Sequence, residues 1–217
     1  MSSPDTTALI VIDMQRDFLD PGGYIAQSGV DVRVLRAAIP NVARLLAAAR
    51  SAGIRVIHTR EGHRPDLADL NPAKARRAAG VGAAIGSRGP LGRLLVRGEP
   101  GHGIIDELAP LPAEVVIDKP GFGAFYATDL ELVLRAWGIT GLTLAGVTTD
   151  ICVHSTLREA VDRGFDCQTV GDACAAADPA LHTAMLGCIS GEGGILGRVV
   201  STAQIVATWA AAPQSPR

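Results

Sequence analysis

Asp13, Lys119 and Cys152 are three side chains of this 217-residue chain that together make a nucleophile, an acid/base and an electrostatic stabiliser. Each closes or follows a short apolar run: Asp13 ends Ala8 to Ile12, Lys119 ends Val115 to Asp118, and Cys152 lies beyond Leu142 to Ala145, after a break at Gly146. Such runs read as strands buried on both faces of a parallel sheet, and open α/β sheets bind ligands beyond the carboxyl ends of their strands. From Asp150 the apolar spacing (Ile151, Val153, Leu157, Ala160, Val161) turns helical, so Cys152 is expected in the first turn of a helix. Free N–H groups and the positive end of the helix dipole there favour a thiolate, lower a thiol pKa and offer donors to an oxyanion. A carboxylate at Asp13 can take the thiol proton and hand it to a leaving amine, and an ammonium at Lys119 steadies both anions. The bland alternative stays open at this point: free cysteines are most often small buried hydrophobes, and Asp13 alone could be a turn cap.

The elements that must position these groups alternate between strand and helix. Helical spacing covers Val30 to Ala52, with a kink expected at Pro40, and Ile54 to Thr59 is the second strand. A helix is predicted over Thr128 to Trp137, with Thr128 as N-cap and Glu131 at the capping-box position. The Cys152 helix runs to Arg163, Asp166 to Val170 is the fifth strand, Pro179 to Ile189 a helix, and Gly193 to Thr202 carries a sixth strand before the last helix. With no internal repeat, this predicts one domain over residues 1–217: a three-layer αβα fold with a doubly wound, six-stranded, mainly parallel sheet of Rossmann-like type. Arg60 to Gly103, rich in Gly, Pro and charge, is expected to form a lid or an oligomer contact rather than a packed element. Its charged residues Arg60, Glu61, His63, Lys74 and Arg76 read as substrate or subunit contacts, with surface salt links as the default. The tail from Pro213 is expected to fray.

Composition narrows the function classes. Twenty Lys and Arg against 22 Asp and Glu give a net charge of −2 with no basic cluster, which argues against nucleic acid or an anionic membrane as partner. Four cysteines, Cys152, Cys167, Cys174 and Cys188, show no C-x-x-C pair or zinc spacing, and no signal peptide is seen before Asp5; reduced thiols in the cytoplasm are the expectation. Cys167 in strand five, Cys174 in the loop after it and Cys188 on a helix are expected to be packing residues, and the helical His154 and His182 surface or packing residues rather than ligands.

The stretches V-I-D-M-Q-R-D-F around Asp13, D-K-P-G-F-G-A-F around Lys119 and G-V-T-T-D-I-C-V around Cys152 resemble, in order and spacing, the isochorismatase-like cysteine hydrolases. That resemblance implies the corresponding hydrolase fold, a catalytic triad of Asp13, Lys119 and Cys152, and a non-proline cis peptide between Val147 and Thr148. It further implies an oxyanion hole from the N–H groups of Thr148 and Cys152, and an acyl-enzyme formed by thiolate attack on an amide. No cofactor is implied. Nicotinamidases of the family carry a zinc-binding Asp-x-His where this chain has His58-Thr59-Arg60-Glu61-Gly62-His63, so no metal is expected, and isochorismatases proper lack the cysteine. The stretches T-R-E-G-H-R-P-D-L-A-D-L and D-K-P-G-F-G-A-F-Y-A-T-D-L are most similar to the biuret and triuret hydrolase branch, with ureidoacrylate amidohydrolases more distant. By that likeness Phe18, Val147 and Glu192 are candidate substrate contacts, with Phe18 lying over a flat ureide. Glu192 stands where biuret hydrolases have Gln, which would turn preference toward a terminal NH2 and a longer ureide such as triuret, unless it is simply a solvated loop charge. A ureidoacrylate or N-carbamoyl compound is the alternative substrate. A homo-oligomer, in the family a tetramer, is also implied.

Overall fold

The computed structural model describes residues 4–211, so the tail expected to fray from Pro213 lies outside the described residues. In chain order its strands are β1 (Thr7–Ile12), β2 (Arg55–Glu61), the two-residue β3 (Arg88–Gly89) and β4 (Gly92–Arg93), β5 (Val115–Lys119), β6 (Gly141–Val147), β7 (Asp166–Ala175) and β8 (Arg198–Val200). The helices are α1 (Arg16–Leu19), α2 (Tyr24–Gln27), α3 (Val32–Arg36), α4 (Ile39–Ala52), α5 (Pro72–Gly80), α6 (Leu130–Ala136), α7 (His154–Asp162), α8 (Pro179–Ser190) and α9 (Thr202–Ala210). Six strands pair in parallel in the order β5-β2-β1-β6-β7-β8, while β3 and β4 form a separate antiparallel pair. No helix among the described residues is long and apolar enough to cross a membrane.

Every residue of β1 is buried, because the sheet is covered on both faces. Leu9 and Val11 join Leu45 and Leu46 of α4 and Trp209 of α9 on one side. Ala8, Ile10 and Ile12 alternate to the other, against Leu134 of α6, Leu157 of α7 and Ile189 of α8. The result is the expected αβα sandwich, with each fully buried leucine such as Leu45 contributing about 1.5–3 kcal/mol of burial.

Several local expectations are corrected. The long helix from Val30 is two, α3 and α4, and Pro40 sits in the first turn of α4, where a missing N–H costs nothing. α6 begins after Asp129; the Thr128 hydroxyl accepts from the Leu130 N–H at 3.3 Å while donating to the Ala124 carbonyl at 2.6 Å, and Glu131 pairs with Arg135 and Arg163 rather than completing a capping box. β7 continues to Ala175, which puts Cys174 in the sheet rather than in a loop. β2 runs two residues beyond Thr59 and ends on Glu61. The segment 60–103 is packed on the body: Leu94, Leu95, Val96 and His102 are buried, and the Leu95 N–H donates to Asp17 Oδ2 at 3.0 Å.

Candidate active site

The strand order reverses between β1 and β6, so side chains just past these two strands face one crevice. Asp13 follows β1 with φ at 52°, its N–H donating to the Thr59 carbonyl (3.2 Å) and its Oδ1 accepting from the Thr59 hydroxyl (2.6 Å). Gly146, in register with Ile12, has φ at 123°, and a Cβ there would collide with the Ile12 carbonyl, so only glycine lets β6 close against β1 at this level. The Val147–Thr148 peptide is cis. Cys152 lies in a wide turn, Thr149–Val153, that precedes α7, with the Val153 N–H on the Thr148 carbonyl (3.0 Å).

Lys119 ends β5, two strands from β1, so its side chain must cross the end of β2 to reach Asp13. Its Nζ lies 2.8 Å from Asp13 Oδ2 and is further held by the carbonyls of Gly121 (3.0 Å) and Phe122 (2.9 Å). The residue it crosses is its register partner Glu61, whose Oε2 lies 3.6 Å from Lys119 Nζ and accepts from Cys152 Sγ at 3.4 Å. The other Glu61 oxygen pairs with Lys74 Nζ at 2.5 Å, and Lys74 also donates to the Pro120 carbonyl (2.7 Å). Gln15 fixes the Glu61 backbone from both sides, accepting from its N–H (2.6 Å) and donating to its carbonyl (2.9 Å). Glu61 and Lys74 are thus buried members of the centre rather than surface charges.

Two carboxylates and two ammoniums balance in this buried cluster. Burial pushes the Asp13 carboxyl up, Lys119 only partly opposes it, and Glu61 raises it further. Burial also pushes on Glu61, but Lys119 and Lys74 outweigh it and hold that carboxyl below its ordinary value. Lys119 is pulled down by burial and more than restored by Asp13, Cys152 and Glu61. The Cys152 thiol is raised well above its usual value by burial, with Lys119 opposing and the two carboxylates adding to the rise. This runs against the expectation that the helix start lowers it: at 3 % exposure desolvation is the largest influence on the sulfur.

Asp13, Glu61 and Cys152 offer donor atoms within 4.8 Å of one another, a set that could hold a cation. The Lys119 and Lys74 ammoniums already occupy their carboxylates and supply the positive charge there. The histidines in and just after the second strand do not converge on this centre: His58 pairs with Glu114 (3.0 Å) and His63 with Asp69 (3.2 Å).

A cavity of about 360 Å³ opens over the sulfur, floored by Cys152, Thr148, Glu61 and Lys74 and walled by apolar side chains including Phe18, Tyr24 and Phe122. Phe18 therefore lines it, edge-on to Tyr24 with ring centres 6.3 Å apart. Val147 is fully buried in β6 and does not line it, and Glu192 is exposed on the turn after α8, away from it. Of the other charged residues of segment 60–103, Arg60 pairs with Asp118 and Arg76 is exposed. A second cavity, of about 300 Å³, lies at the opposite ends of the strands near Gly141 and Asp166 and contains no cysteine.

A family model described as the isochorismatase domain matches residues 7–204. The ureidoacrylate amidohydrolase RutB of Methylorubrum extorquens is 37% identical over 178 residues, covering 81% of this chain and 72% of the relative. A cysteine hydrolase from Pseudomonas syringae pv. phaseolicola superimposes with a TM-score of 0.83 at 28% identity, over 98% of this chain and 96% of its own. The N-carbamoylsarcosine amidase of Thermoplasma acidophilum does so with a TM-score of 0.69 at 25% identity, over 91% and 96%.

Proposed function

We propose that this chain, which belongs to the isochorismatase family, is a cysteine amidohydrolase that cleaves a C–N bond of a small ureido amide through a thioester on Cys152. The observation that carries this reading is the 2.8 Å Lys119–Asp13 pair, whose carboxylate lies within 4.8 Å of the Cys152 sulfur at the floor of an open cavity. Asp13 is the carboxylate suited to move the proton, because burial raises its carboxyl whereas Lys119 and Lys74 hold that of Glu61 down. It takes the thiol proton as sulfur attacks the carbonyl carbon, which leaves the cluster's net charge unchanged inside the protein. The N–H groups of Thr148 and Cys152 receive the oxyanion. Collapse of the adduct breaks the C–N bond while Asp13 returns its proton to the leaving nitrogen, so ammonia or an amine departs. Water then adds to the thioester, giving its proton to Asp13, and the C–S bond breaks to release the acid and restore the thiol.

The relatives' names, ureidoacrylate amidohydrolase and N-carbamoylsarcosine amidase, favour ureido acids and N-carbamoyl compounds over biuret and triuret. The position of Glu192 points the same way, since a residue off the cavity cannot select triuret. In this reading the chain works as a homo-oligomer, a tetramer, and exposed apolar side chains at Phe122, Tyr126 and Ile151 offer surface for it. The test of the chemistry is ammonia release from a panel of ureides by the wild type and by Cys152→Ser. The variant should keep its circular dichroism spectrum and lose all turnover; ureide cleavage that persists in it refutes the mechanism.

A further inference from the structure

Lys74, Arg77, Ala78 and Val81 recur at helical spacing along and just past α5, and all four line the cavity above Cys152. They form one face of that helix turned to the site. Lys74 and Ala78 are buried at its inner end, whereas Arg77 is exposed, which puts its guanidinium at the rim. The charges of the cavity are distributed unevenly. At the floor Glu61 and Lys74 neutralise each other. The wall above them is apolar, built by Phe18, Ile25, Val81, Ile85 and Ile151. No ion pair among the described residues reaches Arg77, whereas Arg64 of the same segment is paired with Asp66.

From this arrangement we infer that Arg77 is a specificity-determining subsite for an anionic group, a carboxylate, carried by the substrate at the end remote from the scissile carbamoyl. The inference rests on the ureide reading above and narrows it to ureido acids. A neutral, planar head fits the balanced floor, a short hydrocarbon spacer fits the apolar wall, and a carboxylate meets the unpaired guanidinium, whose planar fork binds it through two parallel hydrogen bonds. Lys74 and Arg77 are three residues apart, roughly 4.5 Å along the helix axis, so the spacer is short. Urea-like molecules without a charge, biuret among them, leave Arg77 without a partner and fill little of the 360 Å³.

The experiment compares 3-ureidopropionate with butylurea, which has the same length and no charge. For the wild type, kcat/KM should favour the acid. Arg77→Ala should lower the acid-to-neutral ratio by about 10- to 100-fold, mainly through KM, because a charge-assisted pair is lost. Arg77→Lys should give an intermediate ratio, and Arg77→Glu should invert it. A ratio that all three substitutions leave unchanged overturns the inference. If the wild type cleaves neither compound, the ureide reading fails on its own, and the subsite is decided by calorimetric titration of the Cys152→Ser protein. Tighter binding of the acid that Arg77→Glu abolishes supports it; equal binding of acid and butylurea ends it.

Discussion

Replacing Lys119 with methionine isolates the strongest electrostatic dependence in the molecule. The side chain is fully buried, and its ammonium neutralises an equally buried Asp13 at 2.8 Å while lying 3.6 Å from Glu61. Methionine keeps most of the volume and removes the charge, leaving Asp13 with only the Thr59 hydroxyl and Glu61 with Lys74. Breaking a buried pair from one side costs about 3–5 kcal/mol. At about 2–4 °C per kcal/mol for a chain of this size, the melting temperature at neutral pH should fall by roughly 6–20 °C. The loss should depend on pH with a definite sign. Burial and Glu61 already raise Asp13, and without Lys119 only the Thr59 hydroxyl opposes them, so the folded carboxyl titrates above its unfolded value. A group raised in the folded state stabilises fully below its unfolded pKa and loses that contribution as pH rises through the folded pKa. The deficit of Lys119→Met should therefore shrink from pH 8 to pH 5. In Lys119→Met/Asp13→Asn, where no carboxylate is left uncompensated, most of the deficit should vanish, less what the Gly121 and Phe122 carbonyls lose as acceptors. Thermal unfolding of the three proteins across that range measures all of this. A deficit that is the same at pH 5 and pH 8, or a double variant no more stable than the single one, refutes the electrostatic account.

The remaining predictions concern single carboxylates. Glu61→Gln removes one of the two negative charges that raise the Cys152 thiol, so the pH midpoint of alkylation by iodoacetamide should move down relative to wild type; a midpoint that stays or rises contradicts the assigned coupling. Glu114, 8% exposed, is pushed up by burial but held at about 2 by Arg50, the Leu111 N–H and His58. A depressed carboxyl stabilises above its unfolded pKa and loses that as pH falls through the folded one, so wild type should lose stability between about pH 4.5 and 2, and Glu114→Gln should flatten that part of the acid-unfolding curve.

The fold was legible because its pattern is redundant. Each buried strand announces itself as a short apolar run, all but the second are followed by a helical period, and Asp13, Lys119 and Gly146 mark where three of the runs stop. What the pattern misplaced were boundaries where a polar residue is buried by tertiary context. β2 reads as ending at Thr59 because Arg60 and Glu61 are charged, yet pairing with β5 carries the strand through both. α6 looks as though it starts at Thr128 because the residue types suit a cap; the Thr128 hydroxyl does accept from the Leu130 N–H at 3.3 Å, but the helix begins one residue later, after Asp129.

The site divides along the same line. Asp13, Lys119 and Cys152 are found from sequence because each follows a strand, but what lies between them depends on strand order, which periodicity does not encode. Once β2 is known to separate β5 from β1, its last side chain has to sit under the lysine that crosses it, and a carboxylate there needs a second cation. That cation comes from Lys74, in a segment whose glycines, prolines and charges read as a loose insertion. The one local hint was Asn71-Pro72, a helix start in which the Asn71 side chain accepts from the Lys74 N–H at 2.8 Å. Had α5 been assigned from that cap, its face at Lys74, Arg77, Ala78 and Val81 would have been legible as well. That face carries Lys74 to the floor of the cavity and Arg77 to its lining, so the segment contributes charge to the site as well as packing on the body.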